Sequence, residues 1–163
     1  MIPILGSIVL SLALGVSIIA IILLLLYTKN FNLSYFISGW RATLTVSSLC
    51  LFATILMFNE LLTSNFDVNY VALHTSLETP ILYKITALWA GQSGSLLFWL
   101  FILSIYSLII ILKNKKSINQ LTPWIFMVIL GVQFFFLLIV NFLENPFAPT
   151  KADFVISNGN GLN

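Results

Sequence analysis

Four long stretches of the chain contain no charged side chain, and the charged residues fall between them. A transmembrane α-helix needs about 20 apolar residues to cross a hydrocarbon core about 30 Å thick. The uncharged stretches cover Met1–Thr28, Ala42–Asn59, Ile85–Leu112 and Ser117–Leu143. The first, second and fourth each predict one membrane-spanning helix. The third would reach about 42 Å as a single helix, so it predicts more than one element.

The third stretch is interrupted by Gly91-Gln92-Ser93-Gly94-Ser95. Splitting it there leaves a span of ordinary length, with Ser93 or Ser95 placed to cap its first turn. The predicted spans are residues 4–26, 42–61, 95–112 and 122–143 within a membrane module 1–143; an outer loop covers 62–94 and a turn-rich tail covers 144–163.

A short amphipathic helix is predicted just before the interruption. Thr79-Pro80 is typical of a helix start, with a capping hydroxyl followed by proline. Ile81, Leu82, Ile85, Leu88 and Trp89 then fall on one helical face. Such a helix suits the membrane interface. The predicted fold class is therefore an all-α integral membrane protein with four transmembrane helices and one interfacial helix in the outer loop.

Composition supports a membrane protein and excludes several other classes. Hydrophobic residues make up 60% of the chain and charged residues 7%, whereas soluble domains carry about 25% charged residues. A net charge of +2 is too small to indicate a nucleic-acid partner. The single cysteine, Cys50, excludes an internal disulfide and a thiolate metal cluster.

The distribution of charge predicts the orientation. Lys29 and Arg41 flank one connection and three lysines lie in residues 113–116, whereas all five acids lie within residues 60–84 or after Leu143. Because basic loops stay in the cytoplasm, both termini are predicted to be extracytoplasmic. The first stretch has no basic leader and no cleavage site, so it is interpreted as a retained span.

The glycine-containing interruption has two possible roles. It could be a simple turn between the interfacial helix and the next span. Alternatively, because irregular polar backbone near a membrane survives only when packed in protein or facing water, it could be a surface for a ligand or partner. Gln92, Ser93 and Ser95 would then supply hydrogen bonds, and Gly91 and Gly94 would let a flat molecule approach the backbone.

The aromatic and ionisable residues around it are also ambiguous. Trp89 and Trp99 flank the interruption, and tryptophans at an interface are ordinarily anchors. His74, the only histidine, could be solvated or could supply one axial haem ligand, with the second from elsewhere. Glu60 is interpreted as a carboxylate that reaches out to water from the end of the second span. No other acid or base lies deep in a predicted span, which argues against an ion or proton pathway.

The segment "YVALHTSLETPILYKITALWAGQSGSLLFW" resembles the CcmF/NrfE family, cytochrome c haem lyase subunits of the wider haem-handling protein superfamily. The matching residues of the family pattern are Tyr70, Val71, Ala72, Pro80, Tyr83, Lys84, Trp89, Gly91, Gly94, Ser95, Leu96, Leu97 and Trp99. Many relatives have "GHEG" where this chain has Gly91-Gln92-Ser93-Gly94. The family's tryptophan-rich signature and haem-ligand histidines would follow the last residue of this chain, so the resemblance is to the N-terminal part alone.

The resemblance implies a membrane module that helps present haem at the outer membrane face for covalent attachment to apocytochrome c. It implies location in a bacterial inner membrane or an organellar inner membrane. The implied partners are the remainder of the haem lyase, a haem chaperone, apocytochrome c and the lipid bilayer, and this piece alone would not be catalytic. The implied haem-binding residues are His74, Trp89, Gly91, Gln92, Gly94, Ser95 and Trp99. The alternative is a non-catalytic structural subunit of a respiratory or transport complex.

Overall fold

The computed structural model describes residues 2–113, 121–150 and 159. Six α-helices follow one another along the chain: α1 (Ile2–Asn30), α2 (Leu33–Thr63), α3 (Asn69–His74), α4 (Ile81–Thr86), α5 (Gln92–Lys113) and α6 (Thr122–Phe142). A short 3-10 helix, Ala87–Trp89, joins α4 to the loop before α5. Among the described residues the regular secondary structure is helical, and Val68 and Pro149 form one isolated β-bridge. The predicted lysine-rich loop and most of the predicted tail lie outside the described residues.

Four of these helices, α1, α2, α5 and α6, are long and apolar enough to cross a membrane. The prediction of an all-α protein with four candidate spans is confirmed. Each helix packs against two neighbours in the order α1, α2, α5, α6 and back to α1, with successive helices antiparallel. We call the end where α1 and α5 begin, and where α2 and α6 end, the loop end, because the outer loop lies there.

The helices extend beyond the spans expected from charge alone. Only Phe31 and Asn32 separate α1 from α2. Phe31 has a left-handed backbone, with φ at 51°, and the Asn32 side chain accepts a hydrogen bond from the Ser34 amide at 2.9 Å. This cap starts α2 nine residues before position 42, because a helix can continue past the membrane boundary that a charged residue marks.

Helix α5 begins earlier than the sequence suggested. Because its first residue is Gln92, Ser93 and Ser95 lie within its first turn and neither occupies the capping position. The predicted serine cap is wrong. The Ser95 hydroxyl instead donates to the Trp89 carbonyl at 3.1 Å, which ties the 3-10 helix to α5.

A seam of buried side chains joins α2 to α5. The buried positions of α5 recur every three or four residues: Gly94, Leu97, Leu100, Ser104, Ser107 and Ile111. This spacing is that of helices packed at a small crossing angle. The Cys50 thiol of α2 lies beside the Ser104 side chain of α5, so these two positions are at the same level of the antiparallel pair.

The segment after α6 folds back over the outer loop. The Asn69 amide donates to the Ala148 carbonyl at 2.9 Å, and the Thr150 amide donates to the Asp67 carbonyl at 2.9 Å. Phe147 is 1% exposed and packs on Gly6, where an alanine Cβ would lie 2.4 Å from its ring. We call residues 144–150 the strap, since they hold the outer loop against the start of α1.

Two ionisable side chains are buried at the loop end of α2. Glu60 is 0% exposed, and its carboxylate accepts a hydrogen bond from the Asn65 amide. The prediction that Glu60 reaches out to water is wrong, because the turn that ends α2 covers it. Lys84 of α4 is 9% exposed, and its ammonium donates to the Ser64 hydroxyl, which anchors α4 to the end of α2.

The α4 region differs from the predicted amphipathic helix. The α-helix ends at Thr86, so residues 81–89 do not share one helical face. Ile81 and Leu82 are 68% and 75% exposed, whereas Leu88 in the 3-10 helix is fully buried. Anchoring through Lys84 turns the apolar residues of α4 outward.

Candidate functional site

Tyr70 of α3 holds the glycine interruption in place. Its side chain is 4% exposed; the hydroxyl donates to the Ala87 carbonyl at 2.7 Å and accepts from the Gly91 amide at 3.0 Å. Burial raises the pKa of Tyr70 to about 12, with the Gly91 hydrogen bond acting in the opposite direction. The hydroxyl therefore keeps its proton at neutral pH and serves as donor and acceptor at once.

His74 lies one helical turn after Tyr70 and stacks on its ring. The ring centroids are 4.3 Å apart with an interplanar angle of 24°. Nδ1 of His74 is 2.8 Å from the Tyr70 carbonyl oxygen, and because a carbonyl only accepts, Nδ1 carries a proton. In the neutral imidazole Nε2 then holds the free lone pair. Metal-binding histidines commonly have this arrangement, with the second ring nitrogen hydrogen-bonded to a carbonyl.

The two glycines of the interruption are required by these side chains. An alanine Cβ at Gly91 would lie 2.4 Å from Nε2 of His74. At Gly94 it would lie 2.1 Å from the Leu88 carbonyl oxygen and 2.2 Å from the Tyr70 hydroxyl oxygen. The flat groups that approach the glycines in this structure are therefore Tyr70 and His74 of the chain itself.

A polar cleft of about 310 Å³ opens beside His74 at the loop end. Its walls come from α3, the first turn of α5 and the strap. The lining residues are Asn69, Tyr70, Leu73, His74, Gln92, Ser93, Leu143, Glu144, Asn145 and Ala148. The cleft combines imidazole, amide, hydroxyl and carboxylate groups, so it offers hydrogen-bonding groups and two potential metal ligands, His74 and Glu144.

The predicted site residues fall into two groups. His74 and Gln92 line the cleft. Gly91 and Gly94 lie against side chains that form its wall, Gly91 against His74 and Tyr70 and Gly94 against Tyr70. Trp89, Ser95 and Trp99 do not line the cleft; the two tryptophans are 47% and 54% exposed. The rings of Trp89 and Phe98 lie 5.3 Å apart.

Sequence reasoning assigned no site role to three residues that shape the cleft. The sequence indicates Tyr70 only as a motif match, although its spacing of four from His74 places both side chains on one helical face. Glu144 and Asn145 reach the cleft because the strap folds back. No local signal in the sequence indicates that fold-back.

The donor set is incomplete for holding haem iron by itself. His74 is the only histidine of the chain, and no group of three or more His, Cys, Asp or Glu side chains converges within the described residues. Met57 is fully buried in α2. Among the described residues, His74 therefore fits one axial ligand of a haem.

Comparison with known proteins identifies relatives that are named as cytochrome c-type biogenesis proteins. No protein-family model matches the chain. It is 28% identical over 163 residues to cytochrome c-type biogenesis protein CcmF of Haemophilus influenzae, covering 100% of this chain and 25% of that protein. It is 32% identical over 83 residues to protein NrfE of the same organism, covering 51% of this chain and 13% of that protein.

The fold also matches a solved structure. Cytochrome c haem lyase CcmF superposes with a TM-score of 0.81 at 22% identity, over 93% of this chain and 26% of that one. The chain thus spans about a quarter or less of the length of these relatives. It is homologous to part of the CcmF/NrfE cytochrome c-type biogenesis proteins, which confirms the resemblance drawn from its sequence.

Proposed function

We propose that this chain is the N-terminal membrane module of a cytochrome c assembly protein, in which it helps present haem at the outer membrane face. Haem is then a substrate that the complete assembly attaches to apocytochrome c. The observation that carries the proposal is His74, whose Nδ1 is held by the Tyr70 carbonyl at 2.8 Å beside an open polar cleft. That hydrogen bond leaves Nε2, which lies against Gly91 in this structure, as the ring nitrogen with a free lone pair for a ligand.

The residues around the cleft would act as positioning groups. Tyr70 fixes the tautomer and direction of the His74 ring through its carbonyl and its stacked ring. Gln92 and Ser93 offer polar groups to the rim of the ligand, and Trp89 and Trp99 offer exposed aromatic surface. Haem held there would supply the vinyl groups to which the cysteine thiols of apocytochrome c add. The remainder of the haem lyase and a haem chaperone are the proposed partners.

His74 provides the direct test in the complete assembly. We expect His74→Ala to lower covalent haem in cytochrome c at least tenfold, because an axial ligand is lost. The measurement is haem-stained cytochrome c, normalised to the amount of this chain in the membrane. Thr45→Ala is a matched control, since the Thr45 hydroxyl bonds only the Arg41 carbonyl of its own helix. Equal haem attachment in both variants would contradict the proposal.

The isolated chain is expected to bind haem weakly. One histidine cannot give the bis-axial ligation that produces a stable low-spin complex. Titrating haem into the purified chain should therefore give no sharp, stoichiometric low-spin spectrum. A stoichiometric low-spin spectrum that disappears in His74→Ala would show that the chain binds haem unaided.

The proposed orientation has both termini extracytoplasmic and the cleft on the outer side. It rests on the basic residues at the α1–α2 connection and in residues 113–116. Reporter fusions at Lys115 and Asn163 should report opposite compartments, with Lys115 cytoplasmic. Fusions that report the same compartment would exclude this orientation.

The exposed face of α4 is proposed to lie in the headgroup region of the bilayer. Ile81, Leu82 and Tyr83 are more than half exposed, and the only charge of α4, Lys84, is buried behind them. A spin label at Leu82 should be relaxed by oxygen more than by a water-soluble nickel chelate, whereas a label at the exposed Glu78 should show the reverse. Water-like accessibility at Leu82 would overturn the interfacial placement.

A structural role is the second candidate, as a non-catalytic subunit of a respiratory or transport complex. The observation that favours it is that Tyr70 and His74 themselves occupy the space against Gly91 and Gly94. In that case His74→Phe, which keeps the stacking but removes both ring nitrogens, would leave haem attachment unchanged. Under the haem proposal His74→Phe fails like His74→Ala.

A further inference from the structure

The middle of the bundle contains three buried polar atoms without a hydrogen-bond partner among the described residues. They are the hydroxyl oxygens of Ser47 and Ser107 and the amide oxygen of Gln133. All three side chains are 0% exposed. Water is absent from the hydrocarbon core, so polar groups there must be satisfied within the protein.

The three atoms belong to one polar layer on three helices. Gln133 of α6 donates through Nε2 to the Ser104 hydroxyl at 3.2 Å, and Ser104 of α5 lies beside Cys50 of α2. Since α2 and α5 are antiparallel, Ser107, three residues beyond Ser104, lies at the same level of the bundle as Ser47, three residues before Cys50. Along the bundle axis this level is about one helical turn from that of Ser104 and Gln133.

The Ser104 hydroxyl cannot donate to the Gln133 oxygen, because its single proton is already used. It donates to the Leu100 carbonyl at 2.7 Å and accepts from Gln133. The NH₂ group of the Gln133 side chain is therefore hydrogen-bonded, and its amide oxygen has no partner among the described residues. Two hydroxyl groups and one carbonyl oxygen remain, on three different helices.

We propose that this layer, formed by Ser47, Ser107 and Gln133, is a binding site for an internal water molecule in the membrane interior. A water can accept hydrogen bonds from both serine hydroxyls and donate one to the Gln133 oxygen. Buried waters typically make two to four such bonds, about three on average. The bound water links α2, α5 and α6 and fixes the rotation of each helix about its axis.

The competing arrangement is a hydroxyl turned back to a carbonyl of its own helix. Thr43 and Thr54 of α2 make this bond, to the Gly39 carbonyl at 2.8 Å and the Cys50 carbonyl at 2.9 Å. Serines in membrane helices can do the same. Ser47 and Ser107 do not, and this difference makes Thr54 a matched control inside the same seam.

The test is solid-state NMR of the full chain in lipid bilayers, with magnetisation transferred from water to side-chain protons. We expect transfer to Ser47 and Ser107 and none to Thr54. Ser107→Ala should remove transfer to Ser47 as well, because the two serines share one water. Transfer to Ser47 and Ser107 no stronger than to Thr54 would overturn the proposal, as would unchanged transfer to Ser47 in Ser107→Ala. The wild-type measurement decides the question even if the variant fails to fold.

Discussion

Gly94→Ala is expected to disrupt the loop end of the bundle and to abolish haem attachment in the complete assembly. The added Cβ would lie 2.1 Å from the Leu88 carbonyl oxygen and 2.2 Å from the Tyr70 hydroxyl oxygen. The carbonyl belongs to the backbone of the 3-10 helix, so it cannot turn away as a side chain can. Overpacking typically lowers the free energy of unfolding by about 1–3 kcal/mol and occasionally more. Because this clash involves a backbone atom at so short a distance, we expect a loss at or above the upper end of that range. Unfolding in detergent and membrane abundance are the measurements.

Gly131→Ala and Gly15→Ala are matched controls. Both glycines are helical, and an alanine Cβ at either position meets nothing within 4 Å. Alanine is favoured over glycine in a helix interior by about 1 kcal/mol, so the controls should be as stable as wild type or slightly more stable. If Gly94→Ala behaved like Gly131→Ala, the packing described around Tyr70 would be incorrect.

Gly91→Ala separates the structural role of the interruption from its proposed chemical role. Its closest clash is with the tip of the His74 side chain, at 2.4 Å, and that ring can rotate away at modest cost. The chain should then accumulate normally while His74 is displaced, so haem attachment should fall without loss of the protein. Normal attachment in a normally accumulating Gly91→Ala variant would favour the structural candidate.

Tyr70→Phe is expected to have the second largest effect, on the outer loop. It removes the hydroxyl that bonds both the Gly91 amide and the Ala87 carbonyl. Leaving a buried backbone group unpaired costs about 1–3 kcal/mol. Loosening this contact should expose Lys84, which is 9% exposed in the folded protein. Trypsin cleavage after Lys84 should therefore become several-fold faster.

Tyr106→Phe provides the comparison for that experiment. Tyr106 lies on α5 and is 60% exposed, so loss of its hydroxyl should leave stability and cleavage unchanged. Equal cleavage after Lys84 in both tyrosine variants would show that the Tyr70 hydroxyl does not hold the loop.

The number of membrane-spanning helices could be predicted from the sequence, because few charged residues interrupt the apolar stretches. Gaps between charged residues predict four spans, and four candidate spans are present. Local details were less predictable where tertiary contacts decide them. Glu60 and Lys84 would be solvated in isolation; in the fold, Asn65 and Ser64 provide buried partners for them. The sequence contains no signal for these partnerships.

The candidate site shows the same division. The motif around the interruption singles out His74, Gly91 and Gly94, and the structure brings these three together. Of the two roles that the sequence allows for the interruption, one has the glycines admit an external flat molecule, whereas the nearest aromatic groups in the structure are Tyr70 and His74. A glycine in the sequence motif indicates that there is no room for a Cβ at that position. It does not identify the neighbouring group that fills the space.

The strap has a consequence for the order of events during synthesis. The Thr150 hydroxyl donates to the Phe66 carbonyl at 2.6 Å, across 84 residues of sequence. Contacts so distant in sequence close late and slowly. When α2 and α3 leave the ribosome, the outer loop has neither the strap nor α5 to pack against. A nascent chain paused before α6 should therefore carry a protease-sensitive outer loop, which becomes resistant only after residue 150 has been translocated.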